Sequence, residues 1–138
     1  MIKNVLISGG TGLVGTSITK AIEKKGYNVA FLSRSGGDYK GHKKFQWDIH
    51  KQELDQNSLE WADAIIHLAG AGVADKNWTP KRKKEILKSR TESSELLFNN
   101  LKEGNYGIKK IISASAIGYY GFGDKDTIYH EDEPPAND

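Results

Sequence analysis

The chain has 138 residues, a length that suits one domain with a core of its own. Lys and Arg total 20 against 18 Asp and Glu, a formal net charge of +2 that argues against a general nucleic-acid coat, and the absence of cysteine excludes disulfides and thiolate zinc sites while fitting a reducing compartment. No apolar run approaches membrane length and the N-terminus opens at once on an apolar strand, so a cytoplasmic, soluble protein with neither a membrane nor a nucleic-acid partner is expected.

Ile2, Val5, Leu6 and Ile7 mark a first strand at Ile2–Ser8 that runs straight into Gly9-Gly10-Thr11-Gly12-Leu13-Val14-Gly15. A helix follows over Gly12–Lys25, with Val14, Ile18, Ala21, Ile22 and Lys25 at helical spacing. Lys24-Lys25-Gly26 supplies a basic last turn and a C-cap glycine. A strand, glycines at three-residue spacing and a helix N-terminus together form a cradle for a dinucleotide pyrophosphate. Gly9 permits the sharp turn out of the strand, Gly12 the approach of backbone amides to phosphate, and Gly15 the close packing of the helix. Thr11, Leu13 and Val14 join these glycines as cofactor-binding candidates. A tight strand-to-helix turn with no ligand is the alternative use of the same pattern.

The second strand, Asn28–Ser33, ends Phe31-Leu32-Ser33-Arg34. An NAD site commonly has an acidic residue here to accept hydrogen bonds from the adenosine ribose. Ser33 stands in that place and Arg34 follows it. A hydroxyl beside a guanidinium suits a 2′-phosphate, so NADP(H) is the preferred cofactor and NAD(H) the second choice. An ordinary surface Arg in a loop is the alternative.

Ser35-Gly36-Gly37-Asp38 reads as loop, Lys44–Trp47 as a short third strand, and Lys51–Glu60 as a polar stretch with a short turn of helix. The fourth strand, Ala64–Leu68, ends in Ala69-Gly70-Ala71-Gly72. Thr79-Pro80 starts a long helix, threonine as N-cap and proline in the first turn, which Gly104 stops after Glu103. The fifth strand is Lys109–Ala114. Alternating strands and helices predict an α/β fold, a Rossmann-type doubly wound parallel sheet of order 3-2-1-4-5. It forms one domain over residues 1–138, with the cofactor across the carboxyl ends of strands one and four. The polar stretch Glu131–Asp138 reads as loop, so the chain is expected to be part of a longer one, its sheet truncated at the C-terminus.

Lys81-Arg82-Lys83-Lys84, Lys88 and Arg90 crowd the long helix, and a solvated face accounts for most of them. Arg90 falls on one stripe with Ile86, Ser94, Leu97 and Leu101, with Lys83 on its extension. An Arg there needs an anionic or polar partner: phosphate or substrate at the end of strand four, or a structural ion pair. The histidines at 42, 50, 67 and 130 are scattered without metal spacing, and His67 at its strand end reads as lining the cofactor crevice.

Gly9-x-x-Gly12-x-x-Gly15, Trp47-Asp48, His67-Leu68-Ala69-Gly70 and Ser113-Ala114-Ser115 occur in the order used by extended short-chain dehydrogenases/reductases, which the chain resembles. The resemblance is strongest to an atypical branch, the NAD-dependent epimerase/dehydratase or "epimerase family" proteins. That branch carries stretches like Leu68–Gly72, Trp78-Thr79-Pro80, Ser89-Arg90 and Ser115–Gly121. The resemblance implies that Asp48 contacts the adenine and that Leu68, Ala69 and Gly70 line the pyrophosphate and ribose. It implies that Ser115 orients a substrate carbonyl or hydroxyl.

The usual member of that group adds Tyr-x-x-x-Lys on a helix, the Lys lowering the Tyr pKa for acid–base work. Tyr39…Lys43 and Tyr106…Lys110 match the spacing, but neither is on a helix after the Ser115 strand. Tyr119 and Tyr120 lack a Lys four residues on; they line a substrate pocket or pack within a loop. Two functions stay open: an epimerase/dehydratase-like oxidoreductase acting on a small hydroxyl or carbonyl compound, with Ser115 its one catalytic candidate here, and a non-catalytic dinucleotide-binding sensor or interaction module. The chain alone is expected to show no turnover.

Overall fold

Val5, Leu6 and Ile7 are all buried because the strand that carries them lies in the middle of a sheet covered on both faces. A computed structural model of the chain describes residues 1–137. Its elements are β1 (Asn4–Ser8), α1 (Leu13–Glu23), β2 (Asn28–Ser33), β3 (Gly37–Tyr39), β4 (His42–Asp48), β5 (Glu53–Leu54), α2 (Asn57–Trp61), β6 (Ala64–His67), α3 (Pro80–Glu103) and β7 (Lys110–Ser113), then a 3₁₀ turn at Ile117–Tyr120. The sheet order is β3-β4-β2-β1-β6-β7, with β5 paired to β4. The pairs β4·β2, β2·β1, β1·β6 and β6·β7 are all parallel. These five strands reproduce the expected 3-2-1-4-5 order.

Alternation along the strands separates two cores. Leu6, Ala30, Leu32, Phe45, Trp47 and Ile65 face Leu96 and Leu97 of α3 and Leu59 of α2. Val5, Ile7, Val29, Phe31 and Ile66 form the other core, closed by Ile18 and Ile22 of α1. Burial on this scale is the main term holding the sheet between its helices. Register is fixed by the same alternation, since a one-residue slip would exchange the two cores.

The sheet has two antiparallel additions. The expected loop at 35–38 is partly strand: β3 pairs with β4 by Tyr39↔His42, across a two-residue turn in which Lys40 and Gly41 have φ of 49° and 83°. Both positive angles match the tight hairpin turn, yet Lys-Gly is a poor signal for it and Gly37-Asp38 a poor strand former. The short β5 pairs Trp47 with Leu54 and buries Leu54.

Two helix faces differ from expectation. In α1 the inward positions are Gly15, Ile18, Thr19 and Ile22, while Val14 and Ala21 face outward. The helix ends at Glu23, and Gly26, with φ of 85°, turns the chain beyond it. In α3 the buried residues are Arg82, Ser93, Leu96 and Leu97, so the stripe is rotated from the one through Arg90 and Ser94. Arg82 was expected on a solvated face; it is 7% exposed. Its guanidinium reaches Glu85 at 2.7 Å, Asp75 at 3.8 Å and the carbonyl of Gly72 at 2.5 Å. These partners are what let the charge be buried.

Candidate functional site

Parallel strands all end on the same side of a sheet, so the loops after them meet there. The loop after β1 carries the glycines, β2 ends in Ser33 with Arg34 next, β4 ends in Asp48, β6 leads into Leu68-Ala69-Gly70, and Ser115 lies two residues past β7. Each sequence-derived candidate for the cofactor therefore falls along one rim, centred on the point where the strand order reverses between β1 and β6.

Gly9 has a φ of 74°, a left-handed conformation that glycine adopts freely. A Cβ on it would stand 3.0–3.1 Å from the backbone of Leu68 and Ala69, so the β1 and β6 loops are in direct contact. At Gly15 a Cβ would stand 2.5 Å from the Gly9 carbonyl oxygen and 2.6 Å from Gly10 Cα. The first turn of α1 is thus pressed against the loop itself. Gly10 also has no room for a side chain, because the Phe31 ring fills it. Gly12 is the N-cap and supplies no side-chain hydrogen bond to α1. The first-turn amides therefore stay available to an anion. Thr11, Gly12, Leu13 and Val14 are exposed there, Leu13 by 88%.

The loop after β2 is held by two side chains from one face of β4. Gln46 Nε2 donates to the Arg34 carbonyl at 3.2 Å, and Lys44 Nζ donates to Ser35 Oγ at 3.1 Å. Ser33 is half-buried and Arg34 is exposed. Among the described residues no carboxylate lies within 4 Å of Arg34 or Lys44. Asp48 is half-buried, and its Oδ1 accepts from the amides of His50 and Lys51 at 3.0 and 3.1 Å. This fixes the carboxylate at the strand end and commits one of its oxygens to the turn.

Arg90 lies outside the buried stripe, yet its side chain reaches the β6 loop. Its Nη1 donates to the carbonyls of Ala71 at 3.2 Å and Ile86 at 3.1 Å. A Cβ on Gly70 would stand 3.0 Å from Arg90 Cζ. Among the described residues Arg90 has no ion-pair partner, so its observed contacts are with backbone carbonyls rather than with a carboxylate.

His67 differs from expectation. It is 7% exposed and turned toward α3, not into the crevice. Its Nδ1 is 2.6 Å from Ser8 Oγ, and its Nε2 is 3.3 Å from both Ser93 Oγ and Ser94 Oγ. The Trp47 ring meets it edge-on at 6.3 Å. Burial lowers the imidazole's pKa below its ordinary value. Ser8 and Ser93, both fully buried, carry polar roles that the sequence reading missed. A hydroxyl closing the apolar run Val5–Ile7 was the available signal.

Ser115 is exposed and its side chain makes no hydrogen bond within the described residues. Tyr119 meets Tyr120 edge-on at 5.0 Å, and Tyr120 stacks on Tyr129 at 5.3 Å. Tyr39 lies on β3 and Tyr106 in the loop before β7, so neither Tyr-x-x-x-Lys match is helical. On the α3 side of β6 and β7 lies a mostly apolar groove of about 530 Å³, lined by Ile65, His67, Phe98, Leu101, Lys102 and Ile111. Among the described residues no three His, Asp or Glu side chains are grouped to hold a metal, and no helix is long and apolar enough to cross a membrane.

The sequence profile of the NAD dependent epimerase/dehydratase family matches residues 5–138. An epimerase family protein of Staphylococcus aureus is 35% identical over 118 residues, which are 86% of this chain and 39% of that protein. A human epimerase family protein, crystallised with NADPH, superposes with a TM-score of 0.78 at 28% identity, over 96% of this chain and 42% of the other. A nucleoside-diphosphate sugar epimerase from Corynebacterium glutamicum gives 0.75 at 29% identity, over 100% and 28%. The chain thus spans about two fifths of the length of the curated relative.

Proposed function

The chain belongs to the NAD dependent epimerase/dehydratase family, and we propose that residues 1–138 form its dinucleotide-binding domain, with NADP(H) preferred over NAD(H). The observation that carries this reading is the contact of the Gly9 turn with Leu68 and Ala69 beside the uncapped first turn of α1. Thr11, Leu13, Val14 and Gly15 would hold the pyrophosphate on their amides, and Gly12, whose own amide donates to the Gly9 carbonyl at 3.2 Å, would let the backbone approach it. Leu68, Ala69 and Gly70 would wall the adjoining ribose. Asp48 would meet the adenine. Ser33 and Arg34 would hold the 2′-phosphate, Arg34 as a charged donor free of any carboxylate among the described residues. The human relative crystallised with NADPH supports this preference by likeness. When bound, the cofactor supplies hydride transfer.

The reaction we assign to the longer protein is oxidoreductase or epimerase/dehydratase chemistry on a small hydroxyl or carbonyl compound. Ser115 would orient the reacting oxygen, with Arg90, Tyr119 and Tyr120 near the substrate or a phosphate. A cytoplasmic location goes with this reading. One observation favours a second reading, a non-catalytic dinucleotide sensor: among the described residues no Tyr-x-x-x-Lys pair lies on a helix. NADPH oxidation by a longer form, measured against a panel of carbonyl compounds, separates the two. Turnover is expected from the oxidoreductase and none from the sensor. Titration of the chain with NADPH and NADH tests the preference, and equal or tighter NADH binding refutes it.

A further inference from the structure

The hydroxyl of Ser8 stands at the junction of the two crevice loops. Its oxygen accepts from the amides of Leu68 and Ala69, both at 3.2 Å. The Leu68 amide is shared with the Ser8 carbonyl at 3.1 Å, whereas Ala69 has Ser8 Oγ alone among the described residues. Among the same residues the acceptor within reach of the Ser8 proton is His67 Nδ1, 2.6 Å away, which must therefore be bare. A neutral imidazole with a bare Nδ1 carries its proton on Nε2, where Ser93 and Ser94 oxygens lie at 3.3 Å. Ser93 in turn donates to the Arg90 carbonyl at 3.1 Å. The hydrogen bonds thus run in one direction, from the Leu68 and Ala69 amides through Ser8, His67 and Ser93 to the backbone of Arg90. The side chain of that same arginine packs on Gly70.

We propose that His67 is a positioning residue of the dinucleotide site: as the neutral Nε2–H tautomer it holds the Ala69 amide of the loop wall through Ser8, and proton uptake releases that amide. The proposal rests on the dinucleotide reading given above. A proton added at Nδ1 would face Ser8 with a third donor for two lone pairs; Leu68 keeps the Ser8 carbonyl at 3.1 Å, so Ala69, with no second acceptor among the described residues, is the amide that loses its partner. Among the described residues no anion adjoins the ring to compensate such a charge. The groups against the ring are Ser8 of β1, Trp47 of β4, and Ser93 and Ser94 of α3. Ser113 of β7 is its register partner. Of the charged side chains, Lys102 lines the groove that His67 borders and Arg90 lies one turn along α3; Glu92 and Glu95 flank the two serines, Glu92 paired with Lys88 at 3.3 Å and near His50 at 3.9 Å. Among the described residues no carboxylate lies within 4 Å of His67.

The test uses the unsubstituted chain and His67→Asn, whose amide oxygen can accept from Ser8 but cannot titrate. Nitrogen-15 spectra at neutral pH should show His67 with a bare Nδ1 and a protonated Nε2. NADP⁺ affinity of the folded chain should fall about tenfold for each pH unit below the folded His67 pKa. His67→Asn should lack this step. A purely structural His67 would shift the unfolding midpoint with pH and leave the affinity of folded molecules unchanged, which overturns the proposal. An Nδ1–H tautomer, or the same step in His67→Asn, overturns it too. Should the variant fail to fold, the tautomer and the pH profile of the unsubstituted chain still decide. Failure of NADP⁺ to bind at any pH refutes the dinucleotide reading itself and this proposal with it; NADP⁺ binding alongside the wrong tautomer refutes this proposal alone.

Discussion

Arg90 lies across Gly70 so closely that a methyl group on the glycine would stand 3.0 Å from the guanidinium carbon. The arginine thereby braces the loop after β6 from the α3 side. Arg90→Ala should weaken dinucleotide or substrate binding about tenfold, the scale of one charge-assisted hydrogen bond. Stability should change little, because the side chain is exposed. Paired binding titrations and urea unfolding check both halves. Unchanged affinity with lowered stability would make Arg90 a structural residue only.

Arg34 offers its guanidinium to solvent while its carbonyl is held by Gln46. Arg34→Ala should reduce NADPH affinity by roughly 10- to 100-fold, the range for hydrogen bonds to a charged group. NADH affinity should move far less. Equilibrium titration of the variant with each cofactor is the measurement, and equal losses for both would remove Arg34 from the 2′-phosphate.

Arg82 is the buried cation of α3 and ties the loop after β6 to the helix through Gly72 and Asp75, while Glu85 pairs with it from the same helix. Arg82→Met keeps much of the volume and removes the hydrogen bonds, so it should cost about 1–3 kcal/mol. Lys84→Met, on the exposed face, should stay within about 0.5 kcal/mol. Urea denaturation of the two variants should separate them, and similar midpoints would show that Arg82 is not an anchor.

The parallel sheet was legible because its determinants are local and apolar. Val5–Ile7 and Ala64–Ile66 announce strands buried on both faces, and Thr79-Pro80 and Gly104 bound α3 as the structure has them. The Gly9–Gly15 turn was legible because few other residues fit it. The β3–β4 hairpin was not, since its strand is made of Gly37, Asp38 and Tyr39 and is specified by pairing with β4. The inward face of α3 was misread because it buries Arg82 and Ser93, polar residues whose partners lie in other elements. For the same reason His67 looked like a crevice residue, when its contacts with Ser8 and Ser93 turn it inward.

Asp63 ties the start of β1 to β6. Its Oδ2 accepts from the amides of Lys3 and Asn4, each at 2.9 Å. These bonds, first from Asn4 and then from Lys3, hold its carboxyl below the ordinary value of 3.8. The folded state favours the charged form, so the contribution is complete above that value and is lost as pH falls through the folded pKa. Asp63→Asn should make the acid limb of the stability–pH curve shallower and leave the region above neutrality parallel to the original. Superimposable acid limbs would show that Asp63 is not coupled to folding.

The central claim is that a dinucleotide sits on the β1–α1 turn, and amide chemical-shift mapping with NADPH tests it most directly. The largest shifts should fall on Gly10, Thr11, Gly12 and Leu13, followed by Ala69 and Gly70. Shifts confined to the α3 groove around Phe98 and Ile111, or none at saturating NADPH, would contradict the account.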